Sequence, residues 1–116
     1  MANISPFGDL AHLLQTIGQP ARLEILLAIG EGEVCVCHLE AMLGRRQATL
    51  SQHLMALREA GLVSDRRDGR YIFYCLRDPA LLALVREAAR LQGEALPVLS
   101  PSPDCGCPTC STRRMA

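Results

Sequence analysis

Lysine is missing from the chain, so all 12 cationic side chains are arginines. Each positive charge is therefore a planar guanidinium that stays ionised and can meet a phosphate or a base edge with two hydrogen bonds; a compositional bias of the genome accounts for the absence equally well. No apolar run approaches the ~20 residues needed to cross a bilayer, so no membrane partner is expected. The first residues lack the basic cluster and continuous apolar stretch of a signal peptide, which predicts a cytoplasmic protein. There the six cysteines are expected to be ligands, reactive thiols or core fillers rather than a disulfide framework. A thioredoxin-like strand pattern and a cysteine-base arrangement are also lacking, so an enzyme is not expected.

What is present fits one domain: 116 residues, 49% of them hydrophobic, enough for a single core. The formal charge is zero, but it is unevenly spread. Residues 1–44 carry net −4, residues 45–70 net +3 and residues 71–116 net +1. The middle stretch holds Arg45, Arg46, Arg58, Arg66, Arg67 and Arg70.

Phe7, Leu10, Leu13, Leu14 and Ile17 recur at helical spacing and predict an amphipathic first helix ending at Gly18. Pro20 suits the first turn of a second helix, apolar on most sides through Leu23, Ile25, Leu26, Leu27 and Ile29, and stopped by Gly30 and Gly32. An acidic turn at Glu31 and Glu33 then leads to a short third helix closed by Gly44, with Leu39, Met42 and Leu43 inward. In a fourth helix, Gln47 to Ala60, Leu50, Leu54 and Leu57 face the core. Gln47, Thr49, Ser51, Gln52 and Met55 are thereby turned outward. Short hydrogen-bonding side chains, approached from Arg45 and Arg46, suit a recognition helix in a major groove of double-stranded DNA.

Residues 62–76 read as two strands around Asp68-Gly69, a hairpin with Arg66, Arg67 and Arg70 at its tip, placed to reach phosphates. Cys75, in the second strand, reads as a small core residue. Asp78 caps a last helix rich in leucine and alanine, apolar enough to require a partner surface. The expected fold is mainly α with a small β-hairpin, ααααββα, in residues 1–93. Residues 94–116 are expected to form a flexible tail rich in proline and cysteine.

Two groups of thiols stand out. Cys35 and Cys37 open the third helix; Cys105, Cys107 and Cys110 form a CxCxxC cluster in the tail, spaced for a soft metal. In a regular helix, positions i and i+2 point about 200° apart, so the first pair is expected to bind one atom only by distorting the start of its helix or by that start being frayed already. A helix N-terminus favours thiolate, and thiolates select Cd(II), Pb(II), Zn(II), As(III) or Sb(III) over Mg or Ca.

The runs CVCHLEAMLG, RRQATLSQHLMALREAGLV and RRDGRYIFYCL resemble the ArsR/SmtB family of winged helix-turn-helix metal-responsive repressors, over residues 8–92. The resemblance is specific at CVC, at Ser51, His53 and Leu54, and at Arg66, Gly69 and Arg70. It implies a homodimer that binds operator DNA and lets go when a metal or metalloid binds, with Gln47, Thr49, Ser51 and Gln52 at the groove. His53, beside Leu54, is expected to be a buried, hydrogen-bonded structural residue rather than a metal ligand. Family members with an arsenic site CVCxLC have a third thiol where this chain has Glu40, so the third ligand is expected from Cys105, Cys107 or Cys110. The last helix has no His, which disfavours the family's interhelical zinc site. The expected inducer is As(III) or Sb(III). Alternatives are Cd(II), Pb(II) or Zn(II), or an oxidant or reactive sulfur acting on the Cys pair.

Overall fold

Ser5 opens the first helix: its hydroxyl accepts the Gly8 N–H at 3.3 Å, and Pro6 takes the first helical position, where a missing N–H costs nothing. The computed structural model describes residues 5–93, 95–97 and 99. The elements are α1 (Pro6–Ile17), α2 (Pro20–Ile29), β1 (Glu33–Cys35), α3 (Val36–Leu43), α4 (Gln47–Glu59), β2 (Val63–Asp68), β3 (Tyr71–Leu76) and α5 (Ala80–Leu91). The tight α3–α4 turn needs a left-handed residue, and Gly44 supplies it at φ 66° while its N–H closes on the Glu40 carbonyl at 2.9 Å. Asp78, expected as the N-cap of α5, stands one residue before it: Pro79 holds the cap position, and the Asp78 carboxylate accepts the Ala80 N–H at 2.9 Å.

Leu50, Leu54 and Leu57 of α4 are all 0% exposed. They pack in one core with Ile25, Leu26 and Ile29 of α2, Leu39 of α3, and Val34 and Val63 of the sheet. Burying each leucine contributes about 1.5–3 kcal/mol. The same packing fixes which face of α4 turns outward.

The sheet differs from expectation. Residues 33–35, read as the end of an acidic turn and the head of the third helix, form strand β1, and the order in the sheet is β1-β3-β2, both pairings antiparallel. The architecture is ααβααββα. Three residues are too few to show a period of two; β1 exists because β3 supplies its partners, Glu33 opposite Cys75 and Cys35 opposite Phe73. The hairpin turn is also displaced by one residue. Asp68 pairs with Tyr71, so Gly69 and Arg70 form the loop, and only Gly69 has positive φ, at 61°. That is the type II′ requirement of glycine at the first loop position.

Opposite residues in the sheet share a face. Val34 and Val63 point into the core, whereas Cys35, Phe73 and Arg66 lie in one row across the other face. Cys75 lies on that second face too, half-buried, its sulfur 3.2 Å from the Ser64 hydroxyl. It is a sheet-surface residue rather than the core filler expected, because strand alternation turns it away from Val34.

Outside the core, α1 exposes Phe7, Leu10 and Leu14, and α5 exposes Leu84 and Leu91. Leu96 and Leu99, assigned to the tail by sequence, pack against the core, so folded contacts continue past Gly93.

Candidate inducer and nucleic-acid site

Cys35 is the last residue of β1 and the N-cap of α3, with extended backbone at φ −90° and ψ 164°. Its sulfur accepts the His38 N–H at 3.3 Å, replacing the oxygen that usually caps a helix. Cys37 lies in the first turn of α3, and the two sulfurs are 2.8 Å apart. Of the two expected routes to bridging, a distorted helix or a helix start that is not helical, the geometry matches the second: strand pairing with Phe73 keeps Cys35 extended and turns its thiol toward Cys37. Two thiolates on a tetrahedral ion at ~2.3 Å stand about 3.8 Å apart. Capture therefore requires the pair to open by about an ångström, with α3 left helical.

The thiols line a cleft of about 210 Å³ with Val36, Glu40, Gln47, Arg70, Tyr71 and Ile72. Gln47 is the first residue of α4 and Arg70 is in the wing loop, so one small cavity joins the sulfurs to both elements that carry the expected DNA contacts. Among the described residues, no group of three or more His, Cys, Asp or Glu side chains is arranged to hold a metal ion. Cys105, Cys107 and Cys110 lie outside the described residues.

The expected DNA residues form two exposed groups. On α4 and its approach, Arg46, Gln47 and Gln52 are exposed, with Thr49 and Ser51 half-buried; on the wing, Arg66, Arg67 and Arg70 are exposed. Two of the arginines are held by carboxylates. Arg45 donates to both Glu24 oxygens, at 3.1 and 2.9 Å, and Arg66 to both Glu33 oxygens, at 3.0 and 2.6 Å. The Arg66 guanidinium holds the Glu33 carboxyl below its usual range. Arg70 lies over the Tyr71 ring at 5.5 Å.

His53 is hydrogen-bonded within the fold, as expected, but half-buried rather than buried. Arg22 donates from Nε to His53 Nδ1 at 3.1 Å and from Nη1 to the Thr16 carbonyl at 2.9 Å, tying α4 to α2 and α1. Burial, followed by the Arg22 and Arg45 charges, pushes the imidazole below its ordinary value. The Arg22, Glu24 and Glu33 contacts were not read from the sequence. Each bridges residues far apart in the chain, and only the adjacency of Glu33 to the CVC run hinted at one of them.

A helix-turn-helix of α3 and α4 followed by a charged hairpin and a fifth helix is a winged helix-turn-helix, the fold of a DNA-binding regulator. Residues 19–65 match the model of the "Bacterial regulatory protein, arsR family". The chain is 46% identical over 77 residues to the biofilm growth-associated repressor of Agrobacterium fabrum, covering 66% of each protein. It is 39% identical over 87 residues to the arsenical resistance operon repressor of Escherichia coli, covering 72% of this chain and 74% of that one. The transcriptional repressor BigR from Xylella fastidiosa superposes with a TM-score of 0.68 at 39% identity, covering 78% of this chain and 91% of that one. The protein belongs to the ArsR/SmtB family and is a transcriptional repressor. No helix among the described residues is long and apolar enough to cross a membrane.

Proposed function

We propose that this repressor binds operator DNA as a homodimer and is released when As(III) or Sb(III) is captured by Cys35 and Cys37. The observation that carries this reading is the 2.8 Å sulfur–sulfur contact at the head of α3, in a cleft shared with Gln47 and Arg70. Arsenite condenses with three thiols, each As–O bond being replaced by As–S with loss of water. Two sulfurs are pre-assembled; the third comes from Cys105, Cys107 or Cys110 of the tail. The arsenical resistance operon repressor among the relatives supports this choice of inducer.

DNA is met by Gln47, Thr49, Ser51 and Gln52 in the groove and by Arg46, Arg67 and Arg70 at phosphates. Arg45 and Arg66, engaged by carboxylates, set the positions of α4 and the wing. The exposed leucines of α1 and α5 supply the dimer surface. Opening the thiol pair against Gln47 and Arg70 disfavours the geometry that fits two successive grooves, and by linkage DNA weakens inducer binding equally. A shift from nearly all bound to nearly all released needs ~5.5 kcal/mol of differential affinity.

A second reading is favoured by the same contact. Two thiols this close, with no third donor among the described residues, suit a two-electron oxidation to a disulfide by a peroxide or a sulfane-sulfur donor. A gel shift on the protein's own promoter separates the readings. Arsenite, antimonite, Cd(II), Pb(II), Zn(II) and peroxide are titrated against the full chain and a chain ending at Ser100, which keeps Leu96 and Leu99. Release by arsenite that weakens on truncation is expected. Release by peroxide alone overturns the metalloid reading, and Cd(II) or Pb(II) acting at lower concentration than arsenite changes the inducer.

A further inference from the structure

Glu33 and Arg66 lie on the two outer strands, yet their side chains meet across the intervening β3. Phe73 lies beneath that bridge. It is in register with Cys35 on one side and with Arg66 on the other, and the Arg66 guanidinium carbon stands 4.7 Å from its ring centroid. Phe73 and Cys35 are each 1% exposed and form a small apolar cluster of their own, flanked by Cys37 and Tyr71. Nη1 of Arg66 is 3.9 Å from Asp68, beside the wing loop. One row thus runs from the thiols through a buried ring to the guanidinium that anchors the wing tip.

We propose that Glu33, Phe73 and Arg66 are positioning residues that couple the thiol pair to the wing, a role that rests on the inducer reading above. Opening the pair moves the Cys35 sulfur against the ring packed beside it, in a cluster too small to absorb the shift by repacking. The ring is the seat of Arg66, so the displacement passes to β2 and to the loop that carries Arg67 and Arg70.

The test uses the full chain, arsenite and a labelled duplex from the protein's own promoter. Three quantities are measured for wild type, Phe73→Leu and Glu33→Gln: arsenite affinity, operator affinity without arsenite, and operator affinity at saturating arsenite. The ratio of the last two is the release factor. Both variants are expected to keep arsenite affinity within about threefold; operator affinity without arsenite falls modestly as the wing loosens, while the release factor falls about fivefold or more, the lower end of typical allosteric coupling. A merely structural role would lower the melting temperature and both affinities together and leave the release factor intact. The Glu33–Arg66 pair is partly exposed, 51% at Arg66 and 32% at Glu33, and adds little to stability, so Glu33→Gln carries the test should Phe73→Leu fail to fold. An unchanged release factor in the folded variants overturns the proposal. A wild-type chain that binds no arsenite instead overturns the inducer reading, before any variant is compared.

Discussion

Arg45 grips Glu24 through two hydrogen bonds, Nε to Oε1 at 3.1 Å and Nη2 to Oε2 at 2.9 Å, while its neighbour Arg46 stands exposed at the N-cap of α4. Adjacent arginines that look alike in sequence therefore have different work. Arg46→Ala is expected to remove one phosphate contact, lowering the slope of log affinity against log salt by about 0.9. Arg45→Ala leaves that slope nearly unchanged and lowers the melting temperature only slightly, as befits a partly exposed pair. Operator binding from 50 to 300 mM salt and thermal melting of both variants check this.

The Arg22–His53 contact makes stability depend on pH. Nδ1 accepts from a guanidinium, so the folded state favours neutral imidazole, and burial with two nearby arginines depresses its pKa. A His lowered on folding binds fewer protons in the native state than in the unfolded one. Its stabilisation is therefore complete above the unfolded value of about 6.5 and declines as pH falls below it. His53→Gln retains an acceptor for Arg22 but does not titrate. Denaturant melts between pH 7.5 and 5.5 are expected to show a smaller loss of stability in that variant than in wild type.

Leu14 of α1 and Leu84 of α5 are 45% and 39% exposed on the apolar face proposed to join two copies. Leu14→Glu and Leu84→Glu each place a charge there. Sedimentation is expected to show a shift to monomer at micromolar concentration. Operator affinity falls by about 100-fold or more, because two linked recognition helices gain that much over one. A dimeric variant with wild-type affinity would place the interface elsewhere.

Wherever a residue's role follows from its own periodicity, the sequence disclosed it: Leu50, Leu54 and Leu57 define the buried face of α4, and Gly44 the turn before it. The thiol pair and the wing arginines were visible as residues, but their geometry was not. Whether Cys35 is helical or extended is decided by β3, nearly 40 residues away, and three residues of β1 carry too little pattern to reveal the pairing. For the same reason the carboxylate partners of Arg45 and Arg66, two of the expected DNA-binding residues, were hidden: Glu24 and Glu33 lie far from them in the chain.

The most direct test of the thiol pair as the inducer site is arsenite-driven release measured on Cys35→Ser and Cys37→Ser. Serine is a strong N-cap, so its hydroxyl can take over the His38 N–H and the fold of α3 is kept. Both variants are expected to bind the operator within about threefold of wild type, yet to need about 100-fold more arsenite for half release, at least the upper end of the ~10–100-fold lost when a ligand's outer partner is removed. Release at the wild-type arsenite concentration, or loss of operator binding in the absence of arsenite, would contradict the account.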